Sequence, residues 1–391
     1  LAPDRRRSRA ARLIREQGTA ARLRVAVDAT PLLGQLTGIG RYTAELLREL
    51  AAGAGEEPRT EVIAMAFTWR GHDQLPQQLP SGVTAVGRRA PARLLQASWA
   101  RTDLPTMPML GVRADVVHGT NFVLPPPGRR AAGVVTIHDL SYLRFPETVS
   151  IASARYRELV PRSLRRASLV IADTQALAEE IAAEYRLDPD RIRAIPLGVD
   201  PDWFEEPAPL PPELGLPDRY LLFVGTLEPR KNLATLLTAF RELRRQDPAT
   251  PPLVLAGPSG WGPALDTAGL GPGDVRQVGY LDGPALRSVV AHAGALCYPS
   301  LYEGFGLPPL EALAAGTPVV ASDLAPLREV LTGAGDAVRF FPPRDSGALA
   351  QAISSTLAAP GEPGKGVAHA RRFTWVQTAS LTEMAYRDAV S

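Results

Sequence analysis

The stretch LYEGFGLPPLEALAAGTPVVASD, from Leu301 to Asp323, sets two glutamates, Glu303 and Glu311, on either side of a turn built from Gly304, Phe305, Gly306 and Leu307. Carboxylates accept hydrogen bonds with both oxygens, so each suits a pair of neighbouring hydroxyls. Glycines at 304 and 306 would let the backbone approach a ligand closely. Pro308 and Pro309 suit the first positions of a helix, where a missing N–H costs nothing, and Gly316 suits its C-terminal cap. The spacing predicts a helix from about Pro308 to Ala315, with free N–H groups near Gly306 and Leu307 that could meet an anion. Taken alone, Glu311 fits a plainer reading, an acid offsetting the helix dipole, but that leaves Glu303 and the glycines unaccounted for.

A second set follows the apolar run YLLFVG. In TLEPRKNLATLL, Arg230 and Lys231 fall in a loop or in the first turn of a helix. Cations ordinarily favour the other helix end, so the pair fits best with an anion beside it, although a solvated loop pair would fit the same residues. A phosphate held by these cations and the helix-start N–H groups would leave Glu311 to accept from ribose hydroxyls. Glu303 would accept from hydroxyls of a sugar beyond the phosphates.

Gly38 and Gly40 stand just before a helix expected to start near Arg41. They offer another anion-compatible start, but match neither the dinucleotide fingerprint nor the P-loop. His118 in DVVHGTN and His138 in VVTIHDL each end a strand-like run. Function is favoured for His138, while His118 stays open between a functional and a buried structural role. The pairs Asp188/Asp190 and Asp200/Asp202 read as turn residues, so no metal site is expected. Arg155, Arg162, Arg165 and Arg166 lie near one helical face, read as a solvated face with a membrane-surface or lipid-acceptor role as the lesser alternative.

What positions these residues is a repeated pattern: a short β-branched run, a polar or glycine turn, then a helical period. RVAVDA, EVIAMAF, DVVH, GVVTIHD, LVIAD and RIRAIP precede a Pro- and acid-dense segment from Pro196 to Tyr220, and YLLFVG, PLVLAG, VRQVGY, ALCYPS and TPVVASD follow it. Strand–helix alternation of this kind predicts an α/β protein with parallel sheets covered by helices, too long for one sheet. The reading is a basic arm over 1–22, a first domain over 23–199, a linker over 200–219, a second domain over 220–375 and a C-terminal helix over 376–391. Two such domains facing each other leave a cleft at the carboxyl ends of their strands, where α/β sheets bind ligands.

Composition narrows the class. A formal charge of +2 argues against a nucleic-acid partner, and a single cysteine, Cys297, excludes an internal disulfide framework and a Cys-rich zinc site. No run of about 18 apolar residues occurs, and the arginine-rich start lacks the apolar stretch of a secretory signal, which reads as a cytoplasmic protein. The arm could touch anionic lipid, but a solvated extension is the plainer expectation.

Together, TGIGRYTAELL, IHDLSYLRFPE, IPLGVDPDWF, GTLEPRKNLATLLTAF and YEGFGLPPLEALAAGTPVVASD resemble the retaining glycosyltransferases of family 4. The resemblance runs from about Leu23 to the chain end and is nearest to bacterial mannosyltransferase-like enzymes of polysaccharide and O-antigen assembly. It implies a GT-B fold, two Rossmann-like doubly wound domains facing a central cleft. It also implies sugar transfer, with retention and without a required metal or cofactor, from a nucleotide diphosphate sugar to a glycan, lipid-linked or small-molecule acceptor. GDP-mannose is the favoured donor. Glu303 would contact the transferred sugar and Glu311 the ribose. Arg230 and Lys231 would bind the diphosphate, Gly38 and Gly40 would let the first loop close over it, and His138 would lie near sugar and acceptor. Thr226 stands where some relatives carry an arginine, so one phosphate contact is either missing or supplied by Arg230. The last helix would cross back onto the first domain, and contact with a membrane would be peripheral. The alternatives are a sugar-nucleotide epimerase of the same fold and a non-catalytic nucleotide-sugar binding protein.

Overall fold

The computed structural model describes residues 22–34, 38–53, 60–69, 72–148 and 151–391. The expected basic arm therefore lies almost wholly outside the described residues. The first sheet holds β1 (Leu23–Asp28), β2 (Thr60–Ala66), β3 (Thr84–Gly87), β4 (Val116–Gly119), β5 (Ala132–Ile137), β6 (Leu169–Ala172) and β7 (Ile192–Ala194). The second holds β8 (Leu221–Val224), β9 (Leu253–Ala256), β10 (Val275–Gly279), β11 (Ala295–Tyr298), β12 (Val319–Ser322) and β13 (Val338–Phe341). Their orders are β3-β2-β1-β4-β5-β6-β7 and β10-β9-β8-β11-β12-β13, and every pairing is parallel. Each order reverses once, at β1/β4 and at β8/β11, and such switch points open a crevice at the strands' carboxyl ends.

Central strands such as LVIA of β6, LLFV of β8 and ALCY of β11 are buried along their whole length, as strands covered on both faces must be. That makes them readable as apolar runs. The two strands not expected from sequence, β3 and β13, are edges four residues long, and Arg339 interrupts the apolar pattern of β13. An edge strand is covered less, so its sequence is constrained less.

The helices that matter for the site are α1 (Gly38–Ala52), α2 (Ala92–Trp99), α3 (Tyr156–Arg166), α4 (Gln175–Tyr185), α5 (Leu233–Gln246), α6 (Leu307–Ala314), α7 (Ala325–Leu331) and α8 (Trp375–Val390). In α5, Leu233, Leu236, Leu237, Phe240 and Leu243 recur at helical spacing and are all buried. One apolar cluster covers the outer face of each sheet; a third runs without a break from Val25 and Leu46 through Trp203 and Leu222 to Leu310, Trp375 and Tyr386. The connecting segment contributes only short 3-10 turns, Pro201–Phe204 and Pro212–Leu214. Helix α8 begins at Trp375 and packs on α1 and on β4, β5 and β6 of the first sheet. Beside its start, the N–H of Val199 donates to Phe373 O at 3.0 Å, and Gly198 lies so close to Trp375 that a Cβ would sit 2.2 Å from its backbone nitrogen.

Candidate active site

The chain leaves β8 through Gly225, whose positive φ lets it pass under Gly257, where a Cβ would lie 2.1 Å from the Gly225 carbonyl oxygen. Thr226 follows in the loop. A 3-10 turn, Pro229–Lys231, then leads into α5, and Asn232 locks it by donating to Pro299 O at 3.0 Å and Pro343 O at 2.8 Å. Lys231 and Arg230 are thereby aimed at the turn that follows β11. Lys231 Nζ donates to Glu303 Oε1 at 2.6 Å and to the Tyr298 hydroxyl at 2.8 Å. Arg230 donates to Tyr302 O at 2.8 Å and to Glu228 Oε1 at 2.7 Å, and its guanidinium lies 3.3 Å from Glu303 Oε2.

The electrostatics follow from this packing. Burial alone would raise the Glu303 pKa, but Lys231 and Arg230 outweigh it and hold the carboxyl down at about 2. Burial likewise pulls Lys231 downward, assisted by Arg230 and opposed by Glu303. For Arg230, the surrounding Glu303, Asp139 and Glu228 overcome burial and raise its pKa. The result is an ionised, tightly hydrogen-bonded cluster whose four formal charges cancel.

Glu311, one turn into α6, has a different setting. It is buried and bonded to Arg41 of α1, a residue of the other domain. Burial and nearby Asp200 raise its pKa, while Arg41 and the Trp203 side chain oppose the rise. Gly38 and Gly40 do not stand before α1, as the sequence suggested, but form its first turn. Ile39 between them packs against the apolar layer, which favours helix there over loop, and nothing comes within 4 Å of a Cβ placed at Gly38.

The turn after β11 also meets the first domain. A Cβ on Gly304 would fall 1.7 Å from His138 O, so only glycine fits. The Thr174 hydroxyl caps α4 by accepting from Leu177 N at 3.1 Å and donates across to Gly304 O at 3.0 Å. Tyr302 OH donates to Glu180 at 2.7 Å and accepts from Leu140 N at 3.0 Å. Glu329 of α7 accepts from Gln175 N and Ala176 N, the exposed amides at the start of α4. Phe305 is buried, Leu307 opens α6, and Gly306 caps it at φ 100°, against Leu327.

His138 and His118 are resolved by their partners. His138 Nδ1 lies 2.8 Å from Asp173 Oδ2 and Nε2 lies 2.9 Å from Thr120 O. Thr120 O only accepts, so Nε2 donates to it, while Nδ1 shares a proton with Asp173, whose own pKa burial raises; both ring nitrogens are engaged. Burial opposes a charged ring, but Asp173 and the other partners raise the His138 pKa nonetheless. His118 instead shares its nitrogens with the Tyr386 hydroxyl at 2.7 Å and Thr136 Oγ1 at 2.8 Å, and burial lowers its pKa to about 3, so it is neutral. It fastens α8 to the first sheet. Asp173, missed in the sequence reading, ends β6 as His118 and His138 end their runs, and that shared position was the signal.

Beyond Thr120, a recess with about 600 Å³ of empty space lies at the carboxyl ends of β1 and β2. Asp28, Asn121 and Gln96 supply its polar lining and Trp99, Phe67 and Tyr156 its aromatic walls; among the described residues that line it there is no lysine or arginine. Asp28 is held by the Thr30 N–H at 2.9 Å. The aspartates of the two Asp-x-Asp pairs cap 3-10 turns, Asp188 accepting from Asp190 N and Asp200 from Asp202 N. Arg166, expected on a solvated face, is instead drawn inward to Asp103, Trp99 O and Thr102 O, because the loop after α2 offers it unpaired carbonyls. Among the described residues, no cluster of three or more His, Cys, Asp or Glu is placed to hold a metal ion.

Residues 36–203 match the family described as Glycosyltransferase Family 4, and residues 218–359 match Glycosyl transferases group 1. The chain is 32% identical to O-antigen chain mannosyltransferase B of Escherichia coli across 93% of this chain and 100% of that protein. This chain is a family 4 glycosyltransferase. Another relative, the MMP alpha-(1->4)-mannosyltransferase of Mycolicibacterium hassiacum, is 31% identical over 60% of the glycosyltransferase and 57% of its own length. Among solved structures, sucrose-phosphate synthase from Thermosynechococcus elongatus superposes with a TM-score of 0.70 at 21% identity, covering 94% of this glycosyltransferase and 99% of that chain. HepE of Anabaena in complex with UDP gives 0.64 at 18%, covering 94% and 100%. The fold is GT-B.

Proposed function

We propose that this glycosyltransferase moves a sugar from a nucleotide diphosphate sugar to an acceptor hydroxyl with retention at the anomeric carbon and without a required metal. The reading includes two domains, 23–199 and 220–375, joined by 200–219, working in the cytoplasm with peripheral contact at the inner face of a membrane. GDP-mannose is the favoured donor; the two mannosyltransferase relatives support the sugar. The observation that carries the reading is the buried cluster of Lys231, Arg230 and Glu303 at the β8/β11 switch point, with the adjoining Gly304 against His138 of the other domain.

In this mechanism the diphosphate leaves with growing negative charge, which Lys231, Arg230 and the N–H groups at the start of α6 are fixed to receive. Thr226, Gly304, Phe305, Gly306 and Leu307 form the walls of the donor site. Glu303 keeps the sugar in register through its remaining lone pairs, and Glu311 accepts from the ribose hydroxyls once Arg41 shifts. His138 has both ring nitrogens engaged, so it has no free lone pair to act as a general base. Its role is to hold the Thr120 carbonyl and Asp173 in place beside the reacting sugar. A phosphate oxygen takes the acceptor proton on the same face. The recess lined by Asp28 receives the acceptor; its carboxylate and aromatic walls suit an uncharged, hydroxyl-rich end better than a phosphate.

A thermal-shift series with GDP, UDP, ADP and dTDP tests this. One nucleotide at 100 times its Kd should add about 2.7 kcal/mol of stability, and Lys231→Ala should abolish the gain. Stabilisation without sugar transfer to any acceptor would favour the binding-protein alternative. No stabilisation by any nucleotide would overturn the donor site.

A further inference from the structure

Seven arginines but only two acids fall between residues 88 and 130, in a chain whose net charge is only +2. Contacts fold that stretch into one contiguous piece of the first domain's surface. Ser98 Oγ donates to Leu104 O at 2.7 Å, which ties the loop after α2 to the helix end. The N–H of Met107 donates to Pro126 O at 2.8 Å, and Gly128 sits against Pro108, which carries the surface on to Arg129 and Arg130 at the amino ends of β1 and β5. Arg88 reaches Gly111, and Arg162 of α3 donates to Arg101 O.

Two properties coincide on this surface. Arg88, Arg93, Arg101, Arg113, Arg129 and Arg130 are all exposed, and none of them forms an ion pair with a described residue. The two acids are already engaged, Asp103 by Arg166 and Asp115 by the Arg24 N–H. Between the arginines stand large apolar side chains that a folded protein would ordinarily cover: Leu94 is 67% exposed, Met109 63% and Leu104 54%. Cations mixed with protruding apolar groups match the boundary of an anionic bilayer, where arginine meets headgroup phosphate and leucine enters the acyl layer. Helix α2 joins this surface to the recess: Leu95, Gln96 and Trp99 line the recess, while Arg93 and Leu94 point out.

We propose that this arginine–leucine surface docks the enzyme on an anionic membrane leaflet and so holds the acceptor recess at the lipid boundary. The docking rests on the peripheral membrane contact of the proposed function and names its surface; it does not depend on the proposed donor chemistry, whereas its use, delivery of a lipid-anchored acceptor, does. Each arginine near an anionic surface contributes about a fivefold change in partitioning.

The test is co-sedimentation of the full chain with vesicles of phosphatidylcholine alone and of phosphatidylcholine with phosphatidylglycerol. Three variants accompany it: Arg93→Glu with Arg101→Glu, Leu94→Asp with Met109→Asp, and a chain lacking residues 1–21. The full chain and the shortened chain should bind the anionic vesicles, and much less the neutral ones. Each double variant should lose binding at least tenfold while keeping its melting temperature and its activity on a soluble acceptor. Binding unchanged in the double variants, binding lost on removal of 1–21, equal binding to both vesicles, or none, would each overturn the proposal; in the last case a protein partner becomes the better explanation of the surface. The nucleotide thermal shift reads the donor site independently, so its failure with vesicle binding intact would remove the donor reading and leave docking standing.

Discussion

Glu303 and Glu311 lie eight residues apart, both buried, yet the protein treats them in opposite ways. Glu303 takes its two cations from its own domain, from the turn that begins α5, and is held ionised down to about 2. Glu311 takes its cation, Arg41, from the other domain, and burial still raises its pKa. The lesson is that the Glu303 cluster is built within one domain, whereas the Glu311 pair exists only where the two domains meet; in the proposed donor site these would be the phosphate and ribose ends. Preformed charge costs no reorganisation at the moment of reaction, and under the proposed function a jointly built end would make donor recognition depend on how the domains meet.

The largest effect expected from this contrast is on Lys231. Replacing it with alanine should slow transfer by about a hundredfold or more, the cost of losing one fixed donor to developing charge, in kcat measured at saturating donor. A loss confined to KM would mean that the cluster only binds. Next comes acid stability. Glu303 has a depressed pKa, so its contribution is complete above its ordinary 4.5 and is lost as pH falls toward 2. Over that window Glu303→Gln should remove on the order of 3 kcal/mol of the acid sensitivity of the second domain, followed by thermal melting at stepped pH. An unchanged acid limb would show that the cluster does not hold Glu303 down. The smallest effect should be at the shared end. Arg41→Ala leaves Glu311 without its cation, so its pKa climbs further, and the rise in donor KM on acidification should begin at higher pH, with KM changed by about tenfold or less. Identical pH profiles for wild type and variant would break the distinction between the two ends.

Much of this was legible in the chain because it was local. The inner strands are apolar throughout since helices cover both faces, and Lys231 and Glu303 sit in short turns whose glycines and prolines announce them. What escaped was set by distance or by partial exposure. β13 is an edge interrupted by Arg339, so it lacked an apolar run. The pairing of Arg41 with Glu311 spans 270 positions, and that of His118 with Tyr386 spans 268. No periodicity encodes such partners; they follow from how two finished domains face each other and where the last helix lands. The same distance decided the histidines. Both end strands in one sheet, and only their neighbours, a carboxyl and a carbonyl in one case and two hydroxyls in the other, tie one into a pair with Asp173 and make the other a neutral strut.

The returning chain has a mechanical meaning. Val199 and Phe373 are joined by a hydrogen bond where the outgoing and incoming segments pass, with Gly198 pressed against Trp375. Two segments running side by side resist torsion, as a single tether would not. Twisting such a doubled connection costs more than bending it, and that stiffness keeps Gly304 in line with His138 and α6 in line with α1.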